Sequence, residues 1–203
     1  MDAVVTGASG GLGSAIAAEL KQRGYRVVDL SRSTGTDVAD ETRVVAAFDR
    51  VENLAVLVNN AALLIKRPFA ELAAEDWDLQ LGAGLRGAFL CSREAFRRMA
   101  PGGSIVNVSS LSGIAGTEKF AGMAAYVAAK SGLAGLTEAL AVEGRPLGIR
   151  VNAVSPGAID TAMLRLSGVA GPTLEPAAVA RIVAWLASPD SEPVTGANLR
   201  LDP

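Results

Sequence analysis

The sequence predicts an α/β protein: a doubly wound parallel sheet with helices on both faces. Three observations carry that expectation. Short apolar runs alternate with longer segments of helical period, the pattern of βα units. The runs are apolar almost without interruption, as strands buried on both faces must be. A glycine cluster follows the first run directly, at Gly7, Gly10, Gly11 and Gly13.

Each element follows from period and punctuation. Ala3-Val4-Val5 is the first strand, stopped at Thr6-Gly7. Leu12, Ile16 and Leu20 then recur at helical spacing until Gly24 ends the helix. Arg26-Val27-Val28-Asp29-Leu30 reads as the second strand and Leu54-Ala55-Val56-Leu57-Val58 as the third. Ser104–Val108 is the fourth, Ile149–Val154 the fifth and Ala197–Leu201 the last. Helical patterns fill about 41–51, 75–99, 123–143 and 175–187. Only Arg32 to Thr36 separate Ser31 from Asp37, whereas a parallel crossover needs roughly a dozen residues. The second crossover helix is therefore missing, and a strand near Thr36-Asp37 is a stub or absent. No repeat, low-complexity tract or linker divides the chain, so one domain is expected over residues 1–203.

Composition removes several chemistries. The chain has 203 residues, 19 basic and 21 acidic, with 50% hydrophobic residues, 22 glycines and no histidine. That apolar content closes a core without metals or disulfides. With Cys91 alone and no histidine, a zinc or iron–sulfur site lacks ligands, so no metal is expected. A Ser-His-Asp or Cys-His hydrolase lacks its base. A net charge of −2 gives no electrostatic case for nucleic acid. No window reaches membrane-spanning length without a charge or break, and no basic leader precedes Val4. A single cysteine fits a reducing compartment. The expected location is the cytoplasm.

The turn Thr6-Gly7-Ala8-Ser9-Gly10-Gly11-Leu12-Gly13 lies between first strand and first helix, where an open α/β sheet binds a dinucleotide. Its glycines let backbone approach a pyrophosphate, whose charge sits on free N–H groups of the helix start. Taken alone, a tight βα turn fits this stretch as well. Tyr126 and Lys130 are four apart and share a helix face. An ammonium beside a phenol favours the phenolate and lowers a pKa that otherwise lies near 10. Such a pair exchanges a proton with a carbonyl or alcohol oxygen; an ordinary i,i+4 helix pair has the same spacing.

Together these residues resemble the short-chain dehydrogenase/reductase family. Thr-Gly-x-x-x-Gly-x-Gly stands at 6–13, and Asn59-Asn60-Ala61-Ala62 where the family has Asn-Asn-Ala-Gly. Val108-Ser109-Ser110 ends the fourth strand, and Tyr126-Val127-Ala128-Ala129-Lys130 gives Tyr-x-x-x-Lys. Arg150-Val151-Asn152 leads to Pro156-Gly157, with Ile159, Thr161 and finally Thr195-Gly196 behind. The resemblance spans essentially the whole chain. It implies a Rossmann-like, three-layer α/β/α fold in a shortened member, and an oxidoreductase that interconverts a carbonyl and an alcohol by hydride transfer.

It also implies roles. Tyr126 is the acid/base, Lys130 lowers its pKa and bonds the nicotinamide ribose, and Ser110 holds the substrate oxygen. Gly7, Ser9, Gly11, Leu12 and Gly13 surround the pyrophosphate, with Asn60 and Ala61 beside them. Asp37 and Val38 lie at the adenine ring, and Pro156, Gly157, Ile159 and Thr161 at the nicotinamide. Ser31 followed by Arg32 resembles the NADP-preferring pattern, in which a guanidinium pairs with the 2′-phosphate. Asp29, two residues earlier on the same strand face, is the rival determinant for NAD, and Gly10 lacks the basic side chain of many NADP-preferring relatives. NADP(H) is favoured and NAD(H) stays open.

Two departures from the family pattern stand out. Counting seven residues from Trp77 puts Gly84 where many relatives carry a catalytic asparagine. That glycine motivates an alternative: a catalytically weak or inactive cofactor-binding protein on the same fold. The interval from Ser110 to Tyr126 is also long, with the surplus in Gly116–Phe120, a substrate-contacting loop or a solvated bulge. Beyond Thr161 the segment Ala162–Thr173 is brief, and Met163, Leu164 and Leu166 fit either a substrate pocket or core packing. Lys66-Arg67-Pro68 reads as a solvated loop, and Cys91 as a packed small hydrophobe. The expected partner is a small carbonyl or alcohol, without nucleic acid or membrane. Apolar residues on several faces of 85–99 and 126–142 suit a homo-oligomer, a dimer or tetramer.

Overall fold

The computed structural model of the chain describes residues 1–168 and 170–203. Strand β1 (Asp2–Thr6) runs into helix α1 (Gly11–Gln22), and β2 (Arg26–Leu30) leads through a single 3₁₀ turn at Arg32–Thr34. Helix α2 (Glu41–Phe48) crosses to β3 (Leu54–Asn59), after which α3 (Ala74–Leu81) and α4 (Gly87–Arg98) follow. Strand β4 (Ser104–Val108), α5 (Ala124–Gly144), β5 (Arg150–Pro156), the short α6 (Ala162–Ser167), α7 (Pro176–Ala187) and β6 (Asn198–Leu201) complete the order. All neighbouring strands pair in parallel, in the spatial order β2-β1-β3-β4-β5-β6.

The strand period of two explains the layering. Ala3, Val5, Val56, Val58 and Val106 point into a core closed by α1 and α7. Their neighbours Val4, Leu57, Ile105 and Val151 point into a second core with α2 and α4. One sheet thus has helices on both faces, the three-layer α/β/α arrangement of a Rossmann-like fold. Among the described residues no helix is long and apolar enough to cross a membrane.

The gap between Ser31 and Asp37 holds only the 3₁₀ turn, and no strand follows it. Ser31 caps that turn, its hydroxyl and that of Thr34 closing a reciprocal capping box. Residues 36 and 37 then pass directly toward α2, whose first turn is capped by the Asp40 carboxylate on the Arg43 amide. This leaves β2 as an edge strand. Asp2 anchors the opposite end of β1: its carboxylate pairs with Arg26 at 2.5 Å and accepts the Glu52 and Asn53 amides. Those partners hold its pKa down to about 2.

The pattern over 75–99 predicts one helix, and the structure divides it. A π turn spans Gly82–Arg86 between α3 and α4. Glycine is the weakest ordinary helix former, and Gly82 and Gly84 fall within this turn with Gly87 directly after it. Gly87 also packs on Val38 so closely that a Cβ would meet the valine at 2.6 Å. Helix α2 ends at Phe48 rather than at 51, with Asp49 and Val51 in turns that bond back to its last carbonyls.

Candidate active site

The glycine turn is built by residues fifty positions apart. The Thr6 hydroxyl accepts the Asn60 and Ala61 amides, each at 2.9 Å. The Asn60 side chain returns two bonds, to the carbonyls of Thr6 at 3.0 Å and Gly7 at 3.2 Å. Gly7 turns at φ +67°, and a Cβ on Gly13 would lie 2.1 Å from the Gly7 carbonyl oxygen. Those two glycines are therefore demanded by geometry. Asn60 and Ala61 line the cleft as expected, but their N–H donors are spent on shaping the turn.

Asp29 takes a different part from the one weighed in the sequence. Its carboxylate accepts the Ala8 amide at 3.2 Å, so it braces the glycine turn and does not line the cleft. Ser31 and Arg32 do line it. Helix α1 opens on Gly10, which supplies no side-chain cap, and its first turn holds no acidic residue. The leading N–H groups of a helix have no intrahelical acceptor. Here they face a cleft of about 890 Å³ as a ready anion site.

The cleft runs along the carboxyl ends of the strands. Gly7, Ser9, Gly11, Leu12 and Gly13 form one stretch of its wall, and Ser31, Arg32, Asp37 and Val38 another. Pro156, Gly157, Ile159 and Thr161 approach from β5, with a Cβ on Gly11 meeting the Thr161 methyl at 2.9 Å. Ser110, Tyr126 and Lys130 complete the enclosure. The structure thus brings to one cleft every residue to which the resemblance gives a catalytic or cofactor-binding role, whereas Asp29 and Gly84 stay out of its lining. Sequence reading missed the wall from α3 and the π turn, where Glu75, Asp78, Leu79 and Ala83 enter. Exposed polar positions on a helix give no signal of facing a cavity.

The three chemical side chains are held from β4 and α5. A 3₁₀ turn at Leu111–Gly113 begins with Ser110, whose hydroxyl accepts the Ser112 amide at 3.2 Å. Gly113 sits so close to α5 that a Cβ would lie 2.7 Å from the Lys130 carbonyl carbon. Ser109 donates to the Lys130 carbonyl at 2.9 Å, tying β4 to the helix. Lys130 is buried, its ammonium donating to the Val108 carbonyl at 2.5 Å. It lies 5.7 Å from the centre of the Tyr126 ring. Burial lowers its pKa to about 8.

Tyr126 departs from expectation. Burial pushes its phenol above the usual tyrosine value, and the neighbouring Ser110 side chain offsets this only in part. The Lys130 ammonium points to the Val108 carbonyl and stands 5.7 Å from the ring centre, and it does not offset the effect of burial on the phenol. Gly84, at the asparagine position, lies buried in the π turn, where a Cβ would meet that of Ala129 at 3.3 Å. The helix break survives without the amide side chain.

Ser110 and Tyr126 also line a second cavity of about 530 Å³ that contains none of the glycine-turn residues. Gly116, Thr117, Glu118 and Phe120 form part of its wall, as do Met163 and Leu164. Leu166 instead points outward and is 73% exposed. Lys66 and Arg67 are exposed, yet both are tied down: the Lys66 ammonium bonds the Ser167 carbonyl at 2.8 Å and the Arg67 amide the Gly122 carbonyl at 3.0 Å. Val169, within the segment read as brief, lies outside the described residues.

A parallel sheet with a glycine-shaped first turn and a Ser-Tyr-Lys cluster at its carboxyl edge defines the class: an α/β oxidoreductase of dinucleotide-binding architecture. The comparisons agree. A family model described as enoyl-(acyl carrier protein) reductase matches residues 29–203. The cis-4-hydroxycyclohexanecarboxylate dehydrogenase of Sinomonas cyclohexanicum is 38% identical over 237 aligned residues, covering 98% of this chain and 94% of the relative. A short chain dehydrogenase from Burkholderia cenocepacia J2315 in complex with NADP superposes with a TM-score of 0.89 at 31% identity, covering 99% of this chain and 96% of that one. The 3-ketoacyl-(acyl-carrier-protein) reductase from Brucella melitensis complexed with NADH gives 0.87 at 27% identity, covering 98% and 96%. This chain belongs to the short-chain dehydrogenase/reductase family, oxidoreductases acting on CH–OH groups. The alignment of 237 residues exceeds the 203 present here, so that relative carries segments this chain lacks.

Proposed function

We propose that the chain is a nicotinamide-dependent oxidoreductase that interconverts a carbonyl and an alcohol, with Ser110, Tyr126 and Lys130 as its catalytic residues and NADP(H) as its preferred cofactor. One observation carries the reading: Ser110 and Tyr126, with Gly157, Ile159, Thr161 and Met163, line both a dinucleotide-sized cleft and a second cavity. A substrate in the second cavity meets a phenol on one side and the cleft on the other. The bound dinucleotide supplies or accepts the hydride. The free amides of Gly11, Leu12 and Gly13 would hold its diphosphate, and Ser31 and Arg32 a 2′-phosphate. Asp37 and Val38 stand at the adenine end, and Ile159 and Thr161 at the nicotinamide end.

Tyr126 gives its proton to the oxygen that Ser110 holds. Because burial raises its pKa, the phenol keeps that proton at neutral pH, the state that carbonyl reduction requires. Lys130, whose pKa of about 8 leaves it mostly charged at pH 7, stands beside the phenolate that forms. The NADP complex of the Burkholderia relative and the Ser31-Arg32 pair in the cleft support the cofactor preference, with Asp29 bonded to the Ala8 amide and outside the cleft lining; NAD(H), which the Brucella relative holds, is the alternative. The reading includes a single domain over 1–203 in a reducing, cytoplasmic setting, where Cys91 is buried with its thiol pushed up to about 12. It also includes a homo-oligomer formed over α4 and α5, which expose Phe89 and Val142.

The test is paired titration and turnover with NADPH and NADH over a panel of ketones. NADPH is expected to be used at least about tenfold more efficiently, the worth of one charge-assisted contact, and Arg32→Ala is expected to erase the difference. An NADH preference that survives Arg32→Ala overturns the cofactor assignment. Cofactor binding with no turnover across the panel favours the non-catalytic binding protein that Gly84 suggests.

A further inference from the structure

Lys66 is exposed and lines neither cavity, yet three walls of the second cavity meet at its side chain. Its backbone continues from Leu64, which belongs to the first of those walls. The residues on either side of it are pinned. The Ile65 amide donates to the side-chain oxygen of the buried Gln80 at 3.0 Å, and the Arg67 amide to the Gly122 carbonyl at 3.0 Å. The lysine stem then runs against the turn at Gly122 (φ +81°), where a Cβ would lie 2.9 Å from the Lys66 Cγ. That turn closes the loop whose Gly116, Thr117, Glu118 and Phe120 form the second wall. The ammonium ends on the third wall, helix α6, donating at 2.8 Å to the carbonyl of Ser167, 101 positions away in the chain.

Helix α6 needs such a hold. Its six residues fall far below the length at which a helix is stable alone in water. Its own side-chain bonds are local: the Thr161 hydroxyl accepts the Leu164 amide at 3.4 Å, and the Ser167 hydroxyl donates to the Leu164 carbonyl at 2.7 Å. Leu166 points outward, and Arg165 pairs with Asp160 of the same segment at 3.6 Å. Bonds between Ala158, Asp160 and Leu174 close the segment at its root, at 2.8 and 3.2 Å. Ser167 is the last residue of the helix, where carbonyls lack an intrahelical donor and a cation meets the negative end of the dipole.

We propose that Lys66 is a positioning residue that holds α6 as a wall of the second cavity and so sets the size of substrate that enters. This rests on the oxidoreductase reading above, in which the second cavity receives the substrate. Lys66 acts through Met163 and Leu164, which α6 presents to that cavity. Ser110, Tyr126 and Lys130 are held from β4 and α5, so releasing α6 leaves them in place.

The experiment compares the full-length wild type with Lys66→Met, which keeps the stem on Gly122 and removes the charge, and with Lys66→Arg, which restores a cationic donor. Trypsin cleavage after the exposed Arg165, followed by mass, reads how often α6 is released and needs no turnover. Steady-state kinetics with NADPH give kcat and KM for cyclohexanone and the bulkier 4-tert-butylcyclohexanone. Lys66→Met is expected to be cut at Arg165 at least about threefold faster. Its KM for cyclohexanone is expected to rise severalfold, with kcat and NADPH affinity within about twofold. The ratio of efficiencies is expected to shift severalfold toward the bulky ketone, and Lys66→Arg to match wild type in both readouts. Unchanged cleavage of Lys66→Met overturns the hold on α6. Faster cleavage with unchanged KM and an unchanged ratio overturns the role in substrate size. A wild type that turns over neither ketone overturns the oxidoreductase reading, and the hold on α6 is then decided by cleavage alone.

Discussion

Lys130 and Tyr126 show how much of this site is decided by burial. From the sequence, the ammonium four residues from the phenol should lower the phenol's pKa. In the folded chain Lys130 is desolvated and bonded to the Val108 carbonyl, and Tyr126 rises instead. A linkage follows. Below about pH 8 the amine is protonated in both folded and unfolded chains, and its buried charge costs stability in full. Between about pH 8 and the ordinary lysine value the folded state releases the proton and the unfolded state keeps it, so stability rises with pH. Above about pH 10 Tyr126 works the other way, since the unfolded phenol ionises first. Lys130→Met removes the charge and keeps the stem. The fall to about 8 is worth about 3 kcal/mol, and the orphaned Val108 carbonyl takes back about 1 kcal/mol. The variant is expected to be about 2 kcal/mol more stable at pH 7, with the advantage shrinking toward pH 9.5. Urea denaturation at both pH values checks it, and an advantage that does not change with pH contradicts the assignment.

At the scale of elements, the strands and most helices were legible because period and punctuation are local. That no helix fits between Ser31 and Asp37 was legible too, since chain length alone forbids it, but the expected loss of the second crossover helix is corrected: α2 makes the crossover from β2 to β3. The break at Gly82–Arg86 was not, because apolar spacing runs straight through it and only the glycines hint at weakness. What settles it is tertiary: Val38 beneath Gly87 and Ala129 beneath Gly84. The π turn interrupts the helix at Gly84, the position at which the family resemblance implies an asparagine. Gly84→Asn therefore tests what the side chain adds. Its Cβ asks Ala129 to yield only a few tenths of an ångström. The variant is expected to fold with a stability within about 1 kcal/mol of wild type, to bind cofactor unchanged and to turn over faster. Slower turnover in a folded variant would show that the proton path is built around the glycine. The same limit on local reading explains Asp29. Its place on β2 was clear, but the bond to Ala8 joins β2 to the turn after β1, a contact no local pattern announces.

For the molecule as a whole, five separate stretches of chain converge at one edge of the sheet: the turn after β1, the turn after β2, the end of β3, the β4–α5 unit and the segment after β5. Their motifs could be read in sequence because each needs particular residues for backbone reasons. The wall from α3 and the bond from Lys66 to α6 could not, since exposed polar residues look alike until the fold places them. The six-stranded sheet ends at β2 on this side, and the cleft with its Ser-Tyr-Lys cluster lies along its carboxyl edge. The central claim is that this cleft performs hydride transfer with Tyr126 as the proton donor. The most direct measurement titrates NADPH and follows its ketone-dependent oxidation on matched preparations of wild type and Tyr126→Phe. The account predicts cofactor affinity within about twofold and turnover lower by about 10² to 10⁴. Turnover that survives the substitution, or a wild type that binds NADPH and reduces no carbonyl, would contradict it.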